Sequence, residues 1–313
     1  MAVSKRALAI AGLGAAVTGL AAVRMRRAPG RSGIVTLEHT PRHRAGTGSP
    51  LLLLHGVSVT WRAWAPVLEY LEPHHDVLAP TLLGHAGASP FDPGQPLSVA
   101  ALADGVEAEL GRAGLDTVHI AGNSLGGWIA IELARRGRAK SLVLFSPAGA
   151  SRTQRRLEAL AAAMRLGLTL LAQCAAHADG IASNRALRTL VVCTQVAHPS
   201  RVSPHYVAAS LRAVALTPVI GELLTALSHD QVQPLSAGQR YPIRLVWPQR
   251  DRVLPFREFG APMLARIPDA ELVRTADVGH VPMSDDPAGV AQMILDVTTA
   301  VDAAASAAQQ RGQ

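Results

Sequence analysis

The stretch from residue 117 to residue 135, TVHIAGNSLGGWIAIELAR, constrains the fold more than any other part of the chain. It opens with a short apolar run, which is typical of a strand that is buried on both faces. From Leu125 onward, apolar residues recur at helical spacing. Between these two patterns lies the pentapeptide GNSLG, residues 122–126. We therefore predict a buried strand, a sharp turn and a helix that follow one another without a break.

A turn of this kind can carry Ser124 at its apex only when the backbone bends sharply. The bend leaves no room for side chains two positions before and after the serine, and both positions are glycine, Gly122 and Gly126. The helix that starts beneath the turn directs free backbone N–H groups toward the serine hydroxyl. The stretch predicts a nucleophile beside part of an oxyanion site. Without partners elsewhere in the chain, the same residues would describe an ordinary glycine-bounded turn.

Two further segments supply such partners. A serine hydroxyl becomes a good nucleophile when an imidazole removes its proton, and that imidazole needs a carboxylate to fix its tautomer. The strand predicted at residues 243–247 leads into a loop with Asp251, and the strand predicted at 271–274 leads into a loop with His280. In a parallel sheet both loops lie at the same edge as Ser124, where ligands bind. Singly, either residue favours a structural interpretation; together and in this order they favour catalysis.

The remaining apolar patterns predict the architecture. Short runs at 51–54, 77–80 and 142–145 alternate with helical patterns, including one at 61–71 and one that begins after Ser98, a helix-capping residue type. This alternation predicts an α/β protein with a mostly parallel central sheet and helices on both faces. From 149 to 238, apart from an ambiguous run at 189–192, the patterns are helical. They lie at 152–176, 184–197, 204–215 and 218–228.

We accordingly divide the chain into four parts. Residues 1–30 are an apolar segment with a basic linker, and the linker region continues to residue 50 around a short strand predicted at 34–39. Residues 31–148 and 239–303 form the core, which ends in a helix predicted at 288–301, and residues 149–238 form an inserted helical lid. Residues 304–313 are predicted to be a polar, frayed tail.

Residues 7–23 form an uncharged run flanked by basic residues. As a helix the run would be about 25 Å long, the lower limit for crossing a bilayer. Two interpretations stay open, a membrane anchor and a helix at the surface of a soluble protein. The predicted location is cytoplasmic or membrane-associated, and export is disfavoured because arginines follow the run closely.

Composition excludes several other classes of partner. The formal net charge is +7, but the basic residues are scattered and only 4% of residues are aromatic, so no nucleic-acid-binding surface is predicted. The histidines show no paired metal-ligand spacing such as H-E-x-x-H. We therefore predict neither a metal nor a cofactor. The apolar helices predicted for the lid favour a small hydrophobic acyl compound as the substrate.

Over about residues 51–301, the chain resembles the lid-bearing serine hydrolases of the α/β-hydrolase-fold family. The residues that carry the resemblance are the turn GNSLG, His55-Gly56 after the first central strand, Asp251 ahead of Pro255, and Gly279-His280-x-Pro282 followed by Asp286-Pro287. The sequence departs from the family where Asn123 replaces a frequent histidine and Thr81 a usual aspartate. Because position 124 is serine and not aspartate, epoxide hydrolase and dehalogenase activities are disfavoured.

The resemblance implies a role for each matching residue. Ser124 would be the nucleophile, His280 the general base and then acid, and Asp251 the acid that orients the imidazole. The backbone N–H groups of Val57 and Leu125 would form the oxyanion hole. The remaining residues would support the turn and the neighbouring loop, namely His55, Gly56, Gly122 and Gly126.

From these observations we expect a serine hydrolase that cleaves an ester or related acyl bond of a hydrophobic substrate through an acyl-enzyme intermediate. A thioesterase, lipase, C–C bond hydrolase or perhydrolase would use the same residues. Fold alone does not determine function. Two alternatives therefore remain, a non-catalytic ligand-binding or receptor protein on this fold and a membrane-anchored scaffold.

Overall fold

The computed structural model describes residues 38–311. Within them, seven strands form one sheet in the order β1-β3-β2-β4-β5-β6-β7. All neighbouring strands are parallel except β1 and β3, which are antiparallel. The strands are β1 (Arg42–Ala45), β2 (Ser49–Leu54), β3 (His75–Pro80), β4 (Val118–Asn123), β5 (Ala139–Phe145), β6 (Ile243–Val246) and β7 (Ala270–Val273). The predicted α/β-hydrolase fold, with its mostly parallel sheet, is confirmed.

Helices connect the parallel strands and cover the sheet. They are α1 (Ala65–Leu71), α2 (Val99–Arg112), α3 (Leu125–Arg135), α4 (Gln154–Gln173), α5 (Ala178–Ser183), α6 (Arg185–Val192), α7 (Pro204–Ala215), α8 (Ile220–Ser228), α9 (Ala261–Leu264), α10 (Pro282–Asp285) and α11 (Pro287–Arg311). We call the residues between β5 and β6, which contain α4–α8, the helical insert. The ambiguous run at 189–192 belongs to α6 and is therefore helical.

The apolar runs of the central strands serve two cores, one on each face of the sheet. In β2, Leu51 and Leu53 belong to one core and Leu52 and Leu54 to the other, and all four are buried. The alternation arises because successive side chains of a strand point to opposite faces. Burial on both faces explains why β2 shows an unbroken apolar run and not the alternation of a half-exposed strand.

The edge strand β1 lies in the region before residue 50, for which the sequence predicts a linker. Its sequence is RHRA, and Arg44 reaches Asp76 of β3 at 2.7 Å, while Arg42 reaches Glu109 of α2 at 2.7 Å. Charged residues suit an exposed sheet edge, so β1 lacks the apolar pattern by which the other strands were predicted. Of the strand predicted at 34–39, residues 34–37 lie outside the described residues, and residues 38–39 are not in a strand.

The last helix is longer than predicted. The sequence predicts that this helix ends at 301 and that a frayed tail begins at 304, whereas α11 continues to Arg311. Asp302 accepts hydrogen bonds from Ser49 Oγ at 2.6 Å and His119 Nε2 at 3.1 Å, which anchor the helix where the tail was expected to leave the core. The alanines that follow favour helix continuation.

The N-terminal segment 1–30, including the apolar run 7–23, lies outside the described residues. Between residues 38 and 311, no single helix has the length and apolar composition needed to cross a membrane. Two bent pairs meet these criteria together, Gln154–Gln173 with Ala175–Ser183 and Pro204–Ala215 with Ile220–Ser228.

Candidate active site

The turn between β4 and α3 has the strained geometry that its glycines suggested. Ser124 has φ 55° and ψ −116°, a backbone conformation that side-chain-bearing residues rarely adopt. A Cβ atom at Gly122 would lie 2.4 Å from the carbonyl oxygen of Gly126, and one at Gly126 would lie 2.2 Å from that of Leu54. Both separations are far below van der Waals contact. The turn therefore requires glycine at both positions.

His280 and Asp251 form a buried pair at the same edge of the sheet. His280 Nδ1 lies 2.8 Å from Asp251 Oδ2, and both residues are almost fully buried. The other carboxylate oxygen, Oδ1, accepts the backbone N–H groups of Val253 at 2.9 Å and Leu254 at 2.7 Å. An ionised Asp251 holds the imidazole with Nδ1–H as donor. This tautomer leaves Nε2 as a proton acceptor.

Ser124 and His280 line one cavity. It contains about 940 Å³ of space, part of it open to solvent. Apolar side chains of the helical insert form much of its wall, and they come from Leu160, Ala163, Met164, Leu168 and Leu171 of α4 with Tyr206 of α7. A second cavity of about 520 Å³ also reaches Ser124 and is bordered by Trp128, Leu157, Leu224 and Leu227. The hydroxyl thus faces two largely apolar spaces.

Two backbone N–H groups flank Ser124. Leu125 is the first residue of α3, so its N–H has no acceptor within the helix. Gly56 precedes Val57 and lies against the turn, since a Cβ atom on Gly56 would be 3.4 Å from Ser124 Cβ. Among residues 38–311, the N–H groups of Val57 and Leu125 have no hydrogen-bond partner. Val57 lines both cavities, and Leu125 lines the second.

His55 supports the loop that carries Val57. Its Nδ1–H donates to the carbonyl of Gly56 at 2.7 Å, and its Nε2 accepts the N–H of Leu82 at 2.9 Å. Burial, and to a smaller extent the neighbouring His85, lowers the pKa of His55 from 6.5 to about 3. The imidazole is therefore neutral at physiological pH, and it connects the loop after β2 to the loop after β3.

Two residues at this edge have contacts that the sequence did not indicate. Asn123, noted only as a departure from the family, donates from Nδ2 to the carbonyls of Phe145 at 3.1 Å and His280 at 2.9 Å. Asp285, which no sequence pattern singled out, accepts three backbone N–H groups. Its position shortly after Gly279-His280 was the available signal. In the part of the chain that is described, no cluster of three or more His, Cys, Asp or Glu side chains could hold a metal ion.

The close approach of Gly126 to β2 predicts that a single added methyl group has a large effect on stability. Gly126→Ala should lower the free energy of unfolding by at least about 2–3 kcal/mol, because the added Cβ meets the backbone of β2 and not a movable side chain. Gly111→Ala in α2 is the matched control: a Cβ there meets nothing within 4 Å, and alanine should raise stability by about 0.5–1 kcal/mol. Urea unfolding followed by circular dichroism measures both. Equal stabilities of the two variants would contradict the geometry of the turn.

The depressed pKa of His55 predicts a pH dependence of stability. Between about pH 3 and 6.5 the unfolded chain binds a proton at His55 that the folded chain does not. The contribution of neutral His55 to the free energy of unfolding is therefore fully present above pH 6.5 and is lost as the pH falls toward 3. The slope of the unfolding free energy against pH is at most about 1.4 kcal/mol per pH unit. His85, whose pKa is lowered to about 4 by burial, acts in the same direction.

His55→Gln should reduce the slope of unfolding free energy against pH between pH 4 and 6.5, measured by urea titrations at several pH values. His229→Gln, at an exposed position, is the matched control and should retain the wild-type slope. A slope unchanged in His55→Gln would show that His55 is protonated equally in both states.

Comparisons with known proteins place the chain in one family. Residues 51–293 match the model of the alpha/beta hydrolase family. Over 206 residues the chain is 35% identical to epoxide hydrolase EphH of Mycobacterium tuberculosis, and the match covers 63% of this chain and 94% of that relative. It is 31% identical over 255 residues to pimeloyl-(acyl-carrier protein) methyl ester esterase of Aromatoleum aromaticum, covering 79% of this chain and 97% of the esterase.

A solved structure of an esterase from Thermogutta terrifontis is similar in fold. It superposes with a TM-score of 0.64 at 22% identity and covers 83% of this chain and 93% of the esterase chain. At this identity the likeness concerns the fold alone. The family match, by contrast, spans most of the chain and includes β3 to β7 with most of β2, the turn with Ser124 and the loops with Asp251 and His280. The chain belongs to the alpha/beta hydrolase family.

Proposed function

We propose that this protein is a serine hydrolase that cleaves an ester or related acyl bond of an apolar substrate. One observation carries the proposal: Ser124 and His280 line the same cavity while Asp251 hydrogen-bonds the imidazole at 2.8 Å. These are the nucleophile, base and orienting acid that acyl transfer requires. Hydrolase activity in general is also supported by the family and by relatives that are named as a hydrolase and an esterase.

The proposed reaction begins when His280 Nε2 removes the proton of the Ser124 hydroxyl as Oγ attacks the carbonyl carbon. The N–H groups of Val57 and Leu125 donate hydrogen bonds to the carbonyl oxygen and stabilise the negative charge that develops on it. Asp251 stays ionised and stabilises the imidazolium. His280 then gives its proton to the leaving alcohol, and an acyl-enzyme remains. A water molecule deprotonated by His280 attacks the acyl carbon, and the acid departs as Ser124 regains its proton.

The cavity walls support an apolar substrate. Leu168 and Leu171 of α4 and Val281 beside His280 are buried residues that border the cavity. Apolar groups of a substrate would be removed from water against these side chains, which contributes about 25 cal/mol per Å² of buried area. In this proposal the helical insert acts as a lid over Ser124.

Similarity to epoxide hydrolase EphH does not extend that activity to this chain. In the family pattern, epoxide hydrolases attack their substrate with an aspartate at the turn, and this chain has Ser124. A serine activated by an imidazole suits acyl transfer. The alternative of a non-catalytic ligand-binding protein uses the same cavity, but it gives no reason for the Asp251–His280 pair beside Ser124. Hydrolysis of a carbon–carbon bond would use the same three residues as ester hydrolysis, on a different class of substrate.

Reaction with a fluorophosphonate probe tests whether Ser124 is an activated nucleophile. We expect the wild-type protein to be labelled and Ser124→Ala to remain unlabelled. Ser58→Ala is the matched control, since Ser58 lines the same cavity but does not stand at the apex of the turn between β4 and α3. It should be labelled like the wild type. Absence of labelling in the wild type would favour the ligand-binding protein.

Turnover of p-nitrophenyl esters tests the base. His280→Ala should lower kcat by about 10³-fold or more, because loss of one member of such a triad disables proton transfer. His229→Ala, at an exposed position of the helical insert, should stay within about twofold of wild type. A near-wild-type rate in His280→Ala would refute the assignment of the base. Varying the acyl chain length in the same assay then measures the preference for apolar substrates.

A further inference from the structure

The loop that carries His280 is attached to the helical insert by one buried carboxylate. Asp285 is only 2% exposed. Its Oδ2 accepts the N–H of Gly279 at 2.8 Å and the N–H of Ala197 at 2.8 Å, and its Oδ1 accepts the N–H of His198 at 2.8 Å. One side chain therefore links the residue before His280 to two successive residues of the insert.

Backbone contacts reinforce this attachment. The N–H of Val281 donates to the carbonyl of Gln195 at 2.9 Å, so the residue after His280 is bound to the insert as well. A Cβ atom on Gly279 would lie 2.8 Å from Ala197 N and 2.8 Å from Gln195 O. The two chain segments approach so closely that only glycine fits at position 279 without displacement. We call residues 195–198 the docking segment.

The third attachment of His280 runs to the turn. Asn123 donates to the carbonyl of His280, and Asn123 directly precedes Ser124. The backbone around His280 is thus held at three consecutive residues, by Asp285, by Asn123 and by Gln195. Its position relative to Ser124 depends on contacts from both the core and the insert.

Asp285 is suited to this task because hydrogen bonds from N–H groups to an ionised acceptor are shorter and stronger than those between neutral groups. A buried carboxylate is costly unless it is fully hydrogen-bonded, so its three partners hold it in one arrangement. The docking segment also borders the active-site cavity through Gln195. The same carboxylate therefore determines the place of the base and of part of the cavity wall.

We infer that Asp285 is a positioning residue for His280: it fixes the docking segment of the helical insert on the His280 loop and thereby aligns the imidazole with Ser124. The inference rests on the proposed function for its kinetic readout. Misplacement of a catalytic group by about 1 Å can cost about 100-fold in rate, so the loss of one such anchor is measurable.

The test compares Asp285→Asn with Asp286→Asn. The first variant replaces an acceptor oxygen by an amide NH₂, which cannot accept all three N–H groups. The second removes a neighbouring exposed carboxylate that accepts the N–H of Gly289 at 3.1 Å. For p-nitrophenyl acetate we expect Asp285→Asn to lower kcat by about 10- to 100-fold with KM changed less than about threefold. Asp286→Asn should stay within about twofold of wild type.

Gly279→Ala provides a second variant that alters no charge. Its methyl group should separate the docking segment from the His280 loop and lower kcat as Asp285→Asn does. Rates are expressed per folded molecule, with the folded fraction taken from circular dichroism and thermal unfolding. The inference is overturned if Asp285→Asn matches Asp286→Asn, or if its loss of activity equals its loss of folded protein.

A spectroscopic measurement separates this inference from the proposed function. The Nδ1–H proton of His280, hydrogen-bonded to Asp251, should give a downfield proton NMR signal that is absent in His280→Ala. We expect the signal to broaden or disappear in Asp285→Asn and to persist in Asp286→Asn. If the wild type shows the signal but neither turnover nor probe labelling, the proposed function fails while positioning by Asp285 is still supported or refuted by the two aspartate variants.

Discussion

The close contact between α3 and β2 beneath Ser124 is the constraint on which the site depends. Gly126 lies so near the carbonyl oxygen of Leu54 that no side chain could be accommodated there. Because the helix begins against the end of this strand, Leu125 and the strained Ser124 both border the second cavity, and Ser124 also borders the first. Gly122 permits an equally close approach between the end of β4 and the first turn of α3. The site is therefore a consequence of how tightly helix and strand pack.

The parallel sheet supplies the second requirement, because it brings the ends of β4, β6 and β7 to one edge. Strand order alone would not fix the conformations of the loops that follow these strands. Hydrogen bonds remove that freedom: Asp251 accepts two backbone N–H groups of its own loop as well as the His280 imidazole, and Asn123 holds the His280 carbonyl. The neutral His55 fixes the loop with Val57 in the same manner. The buried side chains of Asp251, Asn123 and His55 are thus hydrogen-bonded, as low-dielectric surroundings demand.

The helical insert contacts both the cavity and the loop that carries His280. Its apolar side chains form much of the cavity wall, and its docking segment is bound to the His280 loop through Asp285. A substrate that presses on the insert would therefore act on the surroundings of the proposed base as well. This connection between the cavity wall and the His280 loop follows from hydrogen bonds between distant segments.

Much of the architecture could be predicted from the sequence. Local apolar periodicity predicts the strands β2 to β7 and the helix α7, and glycine spacing predicts the turn. The charged edge strand β1 and the extension of α11 beyond 301 could not be predicted, since pairing with β3 and the contacts of Asp302 arise only in the folded chain. The same holds for Asp285 and His198, which are 87 residues apart and share no pattern. Local sequence determined which elements form and where the reactive residue types stand. Only the tertiary structure decided which polar side chains hold them in place, because a hydrogen bond between remote segments has no periodicity to reveal it.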